Sequence, residues 1–287
     1  MSTNKLSERA MLVTLTRSRW MATRTDRQVT EEVAKDHGVK ARRAGHYRKH
    51  VIDIDAPTFK AVTAAYSKIR DRHLWYTLPW QQDGARILPA ANFEKYSAEM
   101  RHLRQEAEIA VEAFVADYPR LREAAKSELN GLYNPKDYPT NIKAKFAVDV
   151  AVMPLPEAED FRATLSEQDV AQIKAGITEE LAKTTAAAMR DPYQRLIERI
   201  ESLAKLADPK APVYDSYITG LRDICEILPS LNLTADPQLE ELRMRAQGLI
   251  VDAQVLRDMP AVRADVAKRA TEIQDAMAAF MGVPSHE

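Results

Sequence analysis

Two histidines four residues apart sit in the most basic stretch of the chain, Lys40-Ala-Arg-Arg-Ala-Gly-His-Tyr-Arg-Lys-His50. The spacing of His46 and His50 is that of a zinc-binding helix, in which two imidazoles on one face take the metal and a glutamate after the first supplies the base. Here Tyr47 stands where that glutamate belongs, and Arg42, Arg43, Arg48 and Lys49 repel a cation. The chemistry these side chains do fit is phosphate contact. Lys40, Arg42, Arg43, Arg48 and Lys49, interleaved with Tyr47, suit a nucleic-acid backbone or unstacked bases. The alternative is a solvated or partner-facing surface.

His73 and His102 form a second pair, with Glu99 and Glu106 flanking the latter. Two histidines and a carboxylate converge on a metal in a helical bundle only when their helices pack in register. Histidines at such an interface more often satisfy hydrogen bonds, so neither a metal nor any other cofactor is expected. Cys225, beside Ile224 on an apolar face, reads as a small buried thiol. No phosphate-binding Gly-rich loop, dinucleotide fingerprint or nucleophile elbow is present, which weighs against an enzyme.

The elements that must position these residues begin with a Trp-rich connector, residues 73–91, between two helical patterns. It holds Trp75, Pro79, Trp80, Gly84, Arg86 and Pro89. Indole rings bury large areas and need a partner for the N–H, so Trp75 and Trp80 are expected to be buried and to clamp the flanking helices. Arg86 is expected to meet a carboxylate or stack on an indole. The helix before the connector spans 57–76, with Phe59, Val62, Tyr66, Ile69 and His73 on one face. The helix after it, capped by Asn92, runs to about Asp117, with Pro119 as its stop and a shorter helix at 120–130. Together they predict an antiparallel hairpin.

Alternation at 11–20 and along Phe146, Val148, Val150 and Val152 predicts two strands that pair across a long sequence separation. From Ser166 onward the reading is entirely helical. Val170, Ile173, Ile177 and Leu181 share a face, and Asp191-Pro192, Pro229, Asp236-Pro237 and Met259-Pro260 mark helix boundaries. Leu239, Leu242, Ala246, Leu249, Ala253 and Leu256 read as one stripe, for the core or for a coiled-coil partner. Val262, Val266, Ile273, Met277 and Phe280 line the last helix. The expected fold is mainly α, with long antiparallel helical hairpins and a small two-stranded β element. An α+β half at 1–165, holding 15 of the 19 aromatic residues, is followed by a helical bundle or arm at 166–287.

The formal net charge of −1 exerts no overall pull on nucleic acid or membrane, yet residues 1–50 hold 12 Lys and Arg against 5 Asp and Glu. That bias is what a nucleic-acid contact would require. A single cysteine permits no internal disulfide. With no signal-peptide core and no apolar run of ~18 residues, the expected location is the cytoplasm, without membrane contact.

Three segments in order carry a family resemblance. They are Thr77-Leu-Pro-Trp80 with Gly84-Ala-Arg-Ile-Leu-Pro89, Tyr118-Pro119 with Asp137-Tyr-Pro139, and Val152-Met-Pro-Leu-Pro156 with Asp160-Phe-Arg162. Over residues 10–165 the chain resembles a family carried by phages and prophages, domain of unknown function 3150. Members lie beside genes for a MoxR-type AAA+ ATPase and a von Willebrand factor A-domain protein. The resemblance implies a non-enzymatic adaptor or substrate of that ATPase in the host-cell cytoplasm; self-association is the other protein contact expected. It carries over no catalytic residues.

Overall fold

The computed structural model describes residues 6–80, 84–160 and 166–281. Residues 81–83 of the connector, 161–165 at the expected boundary (Arg162 among them) and the Phe280 side chain lie outside the described residues. The chain opens with α1 (Leu6–Arg9), β1 (Ala10–Ser18), β2 (Thr23–Thr25), α2 (Arg27–Asp36), α3 (Ala41–Ala44) and β3 (Arg48–His50). It continues with α4 (Pro57–Tyr76), β4 (Leu78–Pro79), β5 (Ala85–Pro89), α5 (Phe93–Leu129) and β6 (Ala147–Pro154). The rest is helical: α6 (Glu167–Ala188), α7 (Arg190–Ala204), α8 (Asp215–Leu231), α9 (Pro237–Gln247), α10 (Ala253–Asp258) and α11 (Pro260–Met281). The fold is mainly α with a minor β component.

Two compact units are built from interleaved segments. One comprises Met1–Thr14, Leu74–Glu94 and Ala151–Glu287, the other Leu15–His73 and Lys95–Val150. This grouping differs from a division at 165. Aromatic content and helical period report composition along the chain, not which segments return to pack together. Charge follows the units. Leu15–His73 and Lys95–Val150 carry 23 Lys and Arg against 16 Asp and Glu, a net +7, so the other unit holds 18 against 26, a net −8.

The expected strands at 11–20 and 146–152 form and are neighbours, but within a larger sheet of order β4-β5-β1-β6. The described parts of the connector include two paired strands, with Thr77, Leu78, Ile87 and Leu88 fully buried. Leu78 faces Ile87 across β4 and β5, and Ile87 faces Leu12 across β5 and β1, both pairs antiparallel. Gly84, at φ +86°, supplies the left-handed backbone ahead of β5, and Pro79 lies on an edge strand, where no ladder N–H is missed. A second small antiparallel sheet pairs β2 with β3.

In the basic unit α4 and α5 form the expected antiparallel hairpin, with Arg72 on Glu99, Lys68 on Glu106 and Thr58 on Asp117. The tryptophan buried here is Trp20, packed on Phe59, Phe114 and Tyr118 with ring centroids 5.6–6.4 Å away. Its Nε1 has no acceptor among the described residues. Trp75 and Trp80 are largely covered without being fully enclosed. Pro119 does not end the helix either. It lies inside α5, whose buried face runs on through Phe114, Tyr118, Leu121 and Ala125.

In the acidic unit Leu196, Ile200 and Leu203 of α7 and Leu221, Ile224 and Leu228 of α8 are buried, with Val266, Ile273 and Met277 of α11. Two proline boundaries hold at the residue level: Asp236 caps α9 through Gln238 N–H, and α11 starts at Pro260. Pro229 sits inside the last turn of α8. The stripe from 239 to 256 is not one helix. Gly248 ends α9 and Asp252 caps α10, so the buried leucines arrive on two short helices and a bend. A continuous coiled-coil seam is thereby lost.

Candidate functional site

The basic cluster lies on a small β2-α2-α3-β3 excursion of the basic unit. Asp26 starts α2 by accepting from Val29 N–H, and Asp26 N–H in turn donates to the Tyr47 carbonyl at 2.9 Å. Tyr47 N–H donates to the buried Thr30 hydroxyl at 3.1 Å. The backbone at Tyr47 is thus held on both sides, while the residue is 40% exposed.

Lys49 departs from the expected set. It is 6% exposed, and its ammonium sits 2.8 Å from Asp26 and 3.2 Å from Asp137 while donating to the Leu132 carbonyl at 2.5 Å. Burial by itself would lower its pKa, but the hydrogen bonds it donates to both carboxylates, and their charge, outweigh that and raise it. Those bonds hold Asp26 below the usual carboxylate range, the Lys49 contact first. A cation so enclosed cannot also reach a phosphate. Lys40, Arg42, Arg43 and Arg48 remain exposed. His46 lies beyond the end of α3 and His50 on β3, so their four-residue spacing is not helical.

His73 and His102 are not brought together. His73 is 3% exposed with Nδ1 2.8 Å from the Tyr96 hydroxyl, whereas the exposed His102 pairs with Glu106. Glu99 is taken by Arg72 and Glu106 by Lys68. Among the described residues no group of three His, Cys, Asp or Glu side chains can hold a metal. Cys225 is buried, and burial pushes its thiol up to about 11, so it stays protonated and unreactive at neutral pH.

The connector is gripped by arginines in place of indoles. Arg195 on α7 donates to the Leu74, Trp75 and Thr77 carbonyls at 2.8–2.9 Å and pairs with Asp191 at 2.7 Å. Arg86 donates to the Thr77 hydroxyl at 2.6 Å and to its carbonyl, and the Asn92 amide donates to the Tyr76 carbonyl. The carbonyls of 74–77, which a helix end leaves without partners, are thereby satisfied, and the two guanidinium groups suit the negative pole of α4. Burial holds the Asp191 carboxyl above the usual carboxylate range, against the opposing pull of Arg195 and Arg86. Sequence reading missed Arg195. Its one trace is the four-residue spacing from Asp191.

Two clefts remain. One of about 200 Å³ in the basic unit is lined by Tyr66, Val111 and Phe146 with Arg104, Glu108 and Lys143. The other, about 220 Å³, lies in the acidic unit between Leu6, Leu155, Pro156 and Leu181. It adjoins α6, whose apolar face of Val170, Ile173, Ile177 and Leu181 is only half-covered. The residues of α6 that are buried, Thr184 and Ala188, lie at its C-terminal end. No helix among the described residues is long and apolar enough to cross a membrane.

No protein-family model, curated protein or solved structure matches the chain.

Proposed function

We propose that this chain is a phage-encoded, non-enzymatic helical adaptor that binds a protein partner through α6. The observation that carries this reading is the half-covered stripe of Val170, Ile173, Ile177 and Leu181, along a helix of 22 residues. An amphipathic helix forms stably when its apolar face is covered, and here the first four turns bury no side chain completely. A groove or helix of a second protein supplies the missing cover in the helix-in-groove mode, with anchors three and four residues apart. The adjoining cleft at Leu155 and Leu181 extends the same apolar surface. The resemblance to the phage family points to a MoxR-type AAA+ ATPase as that partner, with its von Willebrand factor A-domain companion.

The test is complex formation with a MoxR-type ATPase and an A-domain protein from the same genome, read by size-exclusion chromatography with light scattering. Wild-type chain is expected to co-elute with one of them. The double variant Ile173→Asp, Ile177→Asp is expected to lose the complex while keeping the wild-type helicity and melting temperature. Wild-type chain that neither joins these proteins nor self-associates overturns the adaptor reading. A double variant that binds as well as wild type overturns the role of α6.

A further inference from the structure

The basic unit carries a surface that the adaptor reading does not use. From His37 to Ile52 there are five cations and no carboxylate. Lys49 is consumed internally by Asp26 and Asp137, leaving Lys40, Arg42, Arg43 and Arg48 on the surface. None of these four has a carboxylate within ion-pair distance among the described residues, and Arg48 makes one hydrogen bond, to the Thr23 hydroxyl at 3.2 Å. The acids of this excursion lie outside that stretch: Asp26, already paired with Lys49, caps α2, and Glu31, Glu32 and Asp36 belong to it. Uncompensated cations beside an aromatic ring whose backbone is fixed are the parts of a phosphate-tracking, base-stacking surface.

We propose that Lys40, Arg42, Arg43, Arg48 and Tyr47 form a binding surface for single-stranded nucleic acid, without sequence preference. Groove reading is disfavoured by geometry. α3 has four residues, about 6 Å of helix, too short to lay three or four side chains along a major groove. A flexible single strand can instead lay its phosphates on the arginines and one base on the Tyr47 ring. The net +7 of the unit adds long-range attraction for a polyanion.

The experiment is fluorescence anisotropy of the full chain with a labelled oligothymidylate, the same length of duplex DNA, and labelled polyglutamate, over a salt series. Oligothymidylate is expected to bind more tightly than duplex, with log K falling against log salt at a slope of about −3, for four phosphates at roughly 0.7 each. Arg42→Glu with Arg43→Glu is expected to weaken binding at least tenfold. Tyr47→Ala is expected to weaken it about fivefold or more at unchanged salt slope. Lys205→Glu with Lys210→Glu makes the same change in net charge in the acidic unit and is expected to leave binding unchanged. All substituted side chains are exposed, so melting temperatures are expected to match wild type. The proposal is overturned by absent binding at low salt, by equal loss in the Lys205/Lys210 variant, or by polyglutamate binding as tightly as the oligonucleotide. Preference for duplex overturns the single-strand assignment.

Discussion

Lys49 and Arg48 are adjacent cations with opposite fates. On a strand successive side chains point to opposite faces, so β3 turns Arg48 outward and Lys49 into a site with Asp26, Asp137 and the Leu132 carbonyl. The arrangement ties the basic excursion to the turn after α5. Lys49→Met keeps the stem but strands two carboxylates and a carbonyl, and is expected to cost about 3–5 kcal/mol at neutral pH in urea unfolding. The pH dependence follows from the directions of the shifts. Asp26 is lowered, so its contribution is present above the ordinary carboxylate pKa of about 4 and is lost as pH falls through the lower folded value. Lys49 is raised, so its contribution is present below about 10.4 and is lost as pH rises through the higher folded value. The stability gap between wild type and variant should therefore narrow in acid, and a gap that stays constant down to pH 2 would contradict this account.

At the scale of elements, α5 shows what a breaker residue does when packing opposes it. Pro119 has no N–H to give to the Val115 carbonyl and should stop or kink the helix. The stripe of Phe114, Tyr118, Leu121 and Ala125 continues across it, and burial of that face outweighs the missing bond. Pro119 itself is exposed, so replacing it removes little packing. Pro119→Ala is expected to stabilise the chain by about 1–3 kcal/mol, measured as a higher urea midpoint at unchanged slope. No gain would mean that the backbone geometry proline fixes at 119 helps to seat Tyr118 in the Trp20 cluster and offsets the missing bond. The opposite case is the 239–256 stripe, where a continuous leucine pattern hides a bend because both halves bury the same residue types. Arginines also serve elements in ways that periodicity cannot register. Arg257 donates to the Val213 carbonyl, Arg263 to those of Leu206, Asp208 and Ala211, and Arg269 to that of Gly248, so the loops and helix ends of the bundle are held by side chains from α10 and α11.

Over the whole molecule, charge divides between two units assembled from separated segments, +7 against −8, inside a chain whose total is −1. Within the acidic unit Arg195 joins α7 to the end of α4, and its removal takes the arginine from the Leu74 and Trp75 carbonyls and the Asp191 carboxylate, while the Thr77 carbonyl keeps Arg86. Arg195→Met is expected to cost about 3–5 kcal/mol. Hydrogen exchange should show the loss first in α7 and β5, with α5 beyond Lys95 keeping its protection. Uniform acceleration along the chain would show that the two units open together and that Arg195 is not a local clamp.

The sequence alone was enough for the helical class, the α4/α5 hairpin, the β1/β6 neighbourhood and the starts of α9 and α11. Each rests on local physics: period, cap chemistry or proline sterics. It also placed the exposed arginines at 42, 43 and 48, because charges without apolar company go to water. What tertiary structure decided is which of several like residues is enclosed. Trp20 is fully buried while Trp75 and Trp80 keep partial exposure, Lys49 turns inward, His73 meets Tyr96 instead of His102, and Arg195 closes the end of a helix about 120 residues away. Those outcomes depend on contacts between segments far apart in the chain, and burial is a property of the neighbours a residue acquires, not of its own type.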